Sequence, residues 1–262
     1  MTFALTIAII ETLAVFSSPP VALVSDDMSG FFLACADGVY HYQGDTLAAS
    51  VGRVGEQPLS GISDIAYSGQ FVYACAPLKK VVYQFDRFLT FRGKIEFSDI
   101  APAQIEVSGD GALWAYDPDR KILRVVSPFG DVEREYQIPF PADAKFVGLV
   151  HWTDFGDCPD LFPEKIAPFG DFFEVPVFFG EETIYLGAEH FEKIDAPGVK
   201  NLVVSGENFL FAVGDTIKIC GDGGAVIPAG GSPQNFVFVA RGDSLIYYVV
   251  EGRCLVRWAA IQ

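Results

Sequence analysis

The sequence predicts an all-β chain folded as a six-bladed β-propeller, with five or seven blades as alternatives. Three observations predict it. Units of similar pattern recur every ~40–50 residues, the period of a four-stranded propeller blade. Each unit reads as short apolar strands of ~5–6 residues between Gly, Asp and Pro turns. The last unit is one strand short, while the chain opens with a strand that belongs to no unit.

Taken in chain order, the opening run Phe3–Val15 is rich in Thr, Ile and Val, which suits a strand. It resembles a signal sequence in hydropathy alone. No Lys or Arg precedes Arg53, and Glu11 interrupts the apolar run, which is too short to span a membrane. The residues SSPP (17–20) then serve as a connector to the first unit, VALVSDDMSGFFLACADGVYHYQGDTLAAS (21–50).

The second unit is SDIAYSGQFVYACAPLKKVVYQFDRFLTFRGKIEF (63–97) and the third AQIEVSGDGALWAYDPDRKILRVVSPFGDVEREYQI (103–138). Both run strand, Ser-Gly turn, strand, polar turn, strand, turn, strand. The fourth unit starts with FVGLVHWT (146–153) and resumes at FFEVPVFF (172–179), so residues 154–171 read as a loop inserted into it. The fifth is NLVVSGENFLFAVGDTIKICGDGGAVIPA (201–229) and the sixth NFVFVARGDSLIYYVVEGRCLVRWAAI (235–261). Aligned starts fall at Val21, Asp64, Gln104, Lys145, Asn201 and Asn235, spaced 43, 40, 41, 56 and 34 residues apart. The sixth unit supplies three strands, and Phe3–Val15 completes it. Head and tail thus share one blade, an open edge is avoided, and residues 1–262 form a single domain.

Strands covered on both faces need little apolar–polar alternation, and FFLACA, FVYACA, ALWAY and NFLFA show little. Cys35 and Cys75 occupy matching places in these strings. With Cys158, Cys220 and Cys254 they make an odd set of five, without a CxxC or Cys/His cluster. They read as small buried hydrophobes in a reducing compartment. No glycosylation sequon occurs at Asn201, Asn208 or Asn235, and a cytoplasmic location is the expectation.

The stretch IEVSGDGALWAYDPDRKILRVVSPFGDV (105–132) carries a V-x-x-D-G-x-L-W-x-x-D strand pair followed by I-x-R-V and F-G. It resembles an NHL-type repeat. Residues 65–94 match more loosely, since Gln70 replaces the Asp-Gly turn. The resemblance implies a six-bladed propeller and says little about function.

Composition excludes several functions. Of 262 residues, 50% are hydrophobic, 24 are Phe, and 20% are charged, so disorder is excluded. Acidic residues number 34 against 18 basic, a net charge of −16, which opposes nucleic acid and anionic membrane surfaces. There is no G-x-S-x-G elbow and no Walker motif. The run GDGGAVIPAGG (221–231) reads as turns. His41, His151 and His190 lie far apart without a metal-binding spacing and read as structural.

Two constellations remain. The first strands begin near the central channel, so Asp64, Gln104, Lys145, Asn201 and Asn235 form a polar ring with Val21 as its apolar member. Gluconolactonase-like hydrolases, which are also six-bladed propellers, hold an axial divalent cation with carboxylate and Asn ligands. By that likeness Asp64, Asn201 and Asn235 would hold a cation such as Ca²⁺ able to polarise a lactone carbonyl. Lys145 opposes it.

The second constellation is the inserted loop, where Asp154, Asp157 and Asp160 alternate with Phe155 and Phe162 between prolines. Acids and aromatics on a stiffened loop suit docking to a basic, partly apolar protein. The leading expectation is therefore a non-enzymatic scaffold propeller without a cofactor. A metal-dependent lactonase-like hydrolase and a structural subunit of a larger assembly are the alternatives.

Overall fold

The computed structural model describes residues 6–26, 28–141, 143–151, 174–189, 191–205, 208–213, 216–220, 226–228, 235–241, 244–251 and 253–261. Strand β1 (Thr6–Val15) comes first. The first unit folds as β2 (Pro20–Ser25), β3 (Gly30–Cys35), β4 (Gly38–Gln43) and β5 (Thr46–Val51). A small ribbon, β6 (Arg53–Val54) and β7 (Gln57–Pro58), follows.

The second unit is β8 (Asp64–Tyr67), β9 (Phe71–Ala76), β10 (Val81–Asp86) and β11 (Phe91–Glu96). The third is β12 (Gln104–Val107), β13 (Leu113–Asp117), β14 (Ile122–Val126) and β15 (Val132–Gln137). The fourth is β16 (Lys145–His151), β17 (Glu174–Gly180), β18 (Thr183–Leu186) and β19 (Glu192–Asp195). The fifth is β20 (Val199–Ser205), β21 (Asn208–Val213), β22 (Thr216–Cys220) and β23 (Val226–Pro228). The last is β24 (Asn235–Arg241), β25 (Ser244–Glu251) and β26 (Cys254–Ile261).

These strands make six four-stranded antiparallel sheets, and the sixth runs β24, β25, β26, β1. Strand β1 pairs antiparallel with β26 from Thr6↔Ile261 to Val15↔Cys254, with irregularities between Ile9 and Glu11 and between Thr12 and Ala14. The opening strand therefore completes the sheet that the chain's last strands begin. The first strand of each sheet touches the first strands of the sheets before and after it, and β24 touches β2. Among the described residues the only helical element is the 3-10 turn Pro77–Lys79. No helix there is long and apolar enough to cross a membrane.

Burial follows the strand's place in its sheet. Strands β3 and β13 are buried along their whole length, because sheets pack on both faces. The outer β15 is almost wholly exposed. The expected lack of alternation therefore belongs to the second strands and not to the outer ones. Apolar clusters fill the gaps between sheets. One joins Phe32 and Ala34 of the first sheet to Val72, Ala74 and Phe85 of the second. Another joins Tyr73 and Cys75 of the second to Ile105, Leu113 and Val126 of the third. A third packs Trp114 and Tyr116 against Phe146 and Phe178.

The matching of Cys35 with Cys75 is corrected by this packing. Cys35 faces the last sheet, beside Tyr248 and Leu255. Cys75 faces the third sheet. The equivalence of FFLACA and FVYACA is one residue out of step, and a one-residue slip turns a side chain to the opposite face. Cys35, Cys75 and Cys254 are all free thiols. Val21, the apolar member of the expected ring, packs on the cluster between the first two sheets.

Turns recur with their own chemistry. Between the first two strands, Asp26, Ser68 and Ser108 each donate the backbone N–H to a carbonyl across the turn, on Gly30, Phe71 and Ala112. Asp26 alone also reaches into the sheet. Its Oδ1 accepts from the backbone N–H groups of Met28 and Gly30, and its Oδ2 lies 2.9 Å from His41 Nε2. Both side chains are buried, and Phe32 stacks on the His41 ring at 4.2 Å. The structural reading of His41 fits this arrangement. The side chain of His151 and all of His190 lie outside the described residues.

Candidate functional site

Asp64, Gln104, Lys145, Asn201 and Asn235, assigned from the sequence to a polar ring, all lie in first strands. Asp64 opens β8, where its Oδ1 accepts from the N–H of Ile65 at 2.9 Å. Its Oδ2 accepts from the N–H of Ile105, in the first strand of the next sheet, at 2.8 Å. Gln104 opens β12 and repeats the device one sheet further on. Its Oε1 accepts from the N–H of Phe146 in β16 at 2.9 Å. Each side chain thus bridges two neighbouring first strands and satisfies a backbone donor that sheet pairing leaves over.

Supporting bonds lie beside the Asp64 bridge. Ser63 Oγ donates to the carbonyl of Ala103 at 2.7 Å, and Cys75 Sγ donates to that of Pro102 at 2.6 Å. Lys145, the next ring position, is exposed. Asn201 lies within β20 and Asn235 opens β24. The side chain of Asn235 is outside the described residues.

Two further carboxylates belong to this region, and the sequence reading missed both. Glu106 stands two residues after Gln104 in β12, so strand alternation puts both on one face. Its Oε1 accepts from its neighbour Val107 N–H at 3.0 Å. Glu174 opens β17 and accepts from the N–H of Gly109 at 2.8 Å, across the third and fourth sheets. Glu106 was findable from the period of two. Glu174 follows the inserted segment and has no such signal.

Enclosure by protein weakens ionisation here. Burial pushes the Asp64 carboxyl up to about 7, although its two backbone hydrogen bonds favour the charged form. Burial pushes Glu106 up to about 8, and the charges of Asp64 and Glu174 add to this. The region favours protons or cations over anions. Among the described residues, no three His, Cys, Asp or Glu side chains are grouped so as to hold a metal ion. The docking-loop residues Asp154, Phe155, Asp157, Asp160 and Phe162 lie outside the described residues.

No family model matches the chain, and comparison with curated proteins gives no match. Solved structures do match. Virginiamycin B lyase from Staphylococcus aureus shares 10% identity over 98% of this chain and 100% of its own, with a TM-score of 0.62. The structure of U3-55K shares 12% identity over 96% and 98%, with a TM-score of 0.63. The WD40 repeats of RRP9 share 12% identity over 96% and 97%, with a TM-score of 0.62. At such identities the likeness concerns fold alone, and the chain has a β-propeller fold.

Proposed function

We propose that the chain is a non-enzymatic β-propeller that serves as a protein-interaction scaffold. Each of the six four-stranded sheets is read as one blade, and 105–132 as an NHL-type repeat. The observation that carries the reading is the use of Asp64. The carboxylate that a channel-centred hydrolase would need bridges two first strands through backbone donors. The net charge of −16 suits attraction of a basic partner. The acidic loop residues Asp154, Asp157 and Asp160, with Phe155 and Phe162, are the surface assigned to that partner. The free thiols agree with a reducing compartment such as the cytoplasm. A place as a structural subunit of a larger assembly is compatible with the same surface.

The test is capture of a partner by the immobilised chain at about 50 mM and about 300 mM salt, where screening separates charge-led binding from apolar binding. Capture should fall at high salt and fall again when Asp154, Asp157 and Asp160 are changed to Asn. Capture that ignores both changes defeats the assignment of the loop.

The hydrolase reading has one observation in its favour, the proton-seeking Asp64 and Glu106. A cation such as Ca²⁺ held by Asp64, Asn201 and Asn235 would relieve that same potential. Addition of Ca²⁺ to chelator-treated protein discriminates the two readings. A rise in Tm that disappears in Asp64→Asn favours the hydrolase, and an unchanged Tm favours the scaffold.

A further inference from the structure

Arg87 lies in the turn between β10 and β11, and its guanidinium has no carboxylate partner among the described residues. Three other arginines have carboxylate partners. Arg92 pairs with Asp86, Arg124 with Asp99 and Glu135, and Arg257 with Asp45. Asp86 adjoins Arg87 in sequence but is already engaged. Its Oδ1 accepts from the N–H groups of Phe88 and Thr90, and its Oδ2 from Arg92. Arg87 Nε is buried without any hydrogen-bond partner. Its Nη2 meets only a thioether, Met28 Sδ, at 3.1 Å. A soft, weak acceptor does little for a guanidinium, which binds carboxylates through paired N–H donors.

The surroundings of Arg87 are apolar and open. Its guanidinium carbon lies 5.6 Å from the centroid of Phe88. Phe88 is 71% exposed and Met28 58% exposed. Met28 comes from the turn between β2 and β3, so the contact joins the first sheet to the second on one end of the ring. The next sheet repeats the pattern. In the turn after β14, Ser127 Oγ accepts from the N–H groups of Phe129 and Asp131, as Asp86 does from Phe88 and Thr90. Phe129 occupies the place of Phe88 and is 91% exposed. The same turn thus holds a large apolar side chain outward in both sheets.

We propose that Met28, Arg87 and Phe88 form a docking surface for an acidic segment of a protein partner. The guanidinium takes a carboxylate of the segment, and Met28 and Phe88 receive an apolar side chain beside it. The commitment to an acidic segment rests on charge complementarity, because Arg87 has no carboxylate partner among the described residues. The inference deepens the scaffold reading and depends on it, and it names a surface separate from the acidic loop.

The test is selection of binders from a random dodecapeptide display library by the full chain, followed by binding measurements on the enriched peptides. The expected consensus places Asp or Glu within two positions of Phe, Leu or Met. Affinity should fall at least about tenfold in Arg87→Met, which keeps the bulk of the side chain and removes its charge. It should also fall in Phe88→Ser, whose side chain is too exposed to matter for folding. Inorganic phosphate that competes as well as the peptide would assign the site to a phosphate group and overturn the proposal. A basic consensus indifferent to both variants but lost with the loop acids would overturn this surface and leave the scaffold reading standing. Failure to enrich any peptide would overturn the surface, and failure of salt-sensitive partner capture would separately overturn the scaffold reading.

Discussion

Arg257 of β26 binds Asp45, which sits in the turn between β4 and β5, so the last sheet is clamped to the first by side chains 212 positions apart. Tyr248 of β25 donates its hydroxyl to the other oxygen of Asp45 at 3.2 Å. Ring closure therefore has two layers: the backbone pairing of β1 with β26 and this ionic clamp. Both charged side chains are partly screened, with 21% and 32% exposure. Asp45→Ala should lower stability by about 1–2 kcal/mol, more than an exposed ion pair but less than a core cavity. Urea unfolding of the two proteins measures it.

Gly30 tests the buried Asp26–His41 pair from the backbone side. A Cβ at residue 30 would stand 2.4 Å from Asp26 Oδ2 and 2.5 Å from the carbonyl of Tyr42. Neither atom can retreat, since one is bonded to His41 and the other belongs to a strand. Gly30→Ala should destabilise by about 3 kcal/mol through overpacking alone. Gly69→Ala, in the turn of the second sheet, is no control, because Gly69 has a φ of +79°. Gly52, whose nearest neighbour lies at 3.5 Å, provides one. A Gly30→Ala protein with an unchanged urea midpoint would contradict the described packing.

The buried carboxyls of Asp64 and Glu106 predict the direction of a pH effect. Asp64 titrates at about 7 and Glu106 at about 8 in the folded chain. In the unfolded chain they return to about 3.9 and about 4.3. Between these limits the folded state holds more protons than the unfolded one, so stability falls as pH rises from about 4 to about 8. Asp86, Asp99 and Asp110 are held below the ordinary carboxylate range, and their contribution is lost only as pH drops under about 4. The two windows do not overlap. Tm should be higher at pH 6 than at pH 8.5, and Glu106→Gln should flatten that slope. An unchanged slope in the variant would refute the assignment to Glu106.

These relationships mark where the sequence stops being legible. The strand rhythm is local, so the units beginning at Asp64, Gln104 and Lys145 were readable to the residue. The missing strand of the last unit and the spare strand at the front were readable as a pair. Side-chain links between sheets were not. Asp64 marks a strand start in the sequence, but only the folded ring brings it to the N–H of Ile105, 41 positions on. Reading that residue as a possible ligand and finding it as a bridge differ because a carboxylate serves both purposes, and spacing does not choose between them. Cys35 fails for another reason. String similarity ignores register, and the turn before FFLACA, from Asp26 to Gly30, is one residue longer than the turn before FVYACA, from Ser68 to Phe71, which shifts one strand by a residue. The loop residues from Asp154 to Phe162 lie outside the described residues and stay an expectation from composition.

Arg124 separates geometry from charge. It lies in β14, is only 6% exposed, and holds Asp99 through Nη1 and Nη2 at 2.9 and 2.7 Å. Its Nε also donates to Glu135 of the neighbouring β15 at 2.9 Å. Asp99 belongs to the connection between the second and third sheets, so one guanidinium ties that connection to two strands of the third sheet. A lysine offers charge without the planar fork and cannot reach both carboxylates in this way. Arg124→Lys should therefore destabilise by about 2 kcal/mol despite conserving charge. Removal of the exposed Lys94, which pairs with the exposed Glu96, should leave Tm unchanged. In Arg124→Lys the Asp99 carboxyl should also titrate closer to its ordinary value, since the guanidinium bonds are the largest cause of its depression. Carboxyl titration by NMR together with urea unfolding checks both, and a lysine variant as stable as the parent would show that charge alone holds the connection.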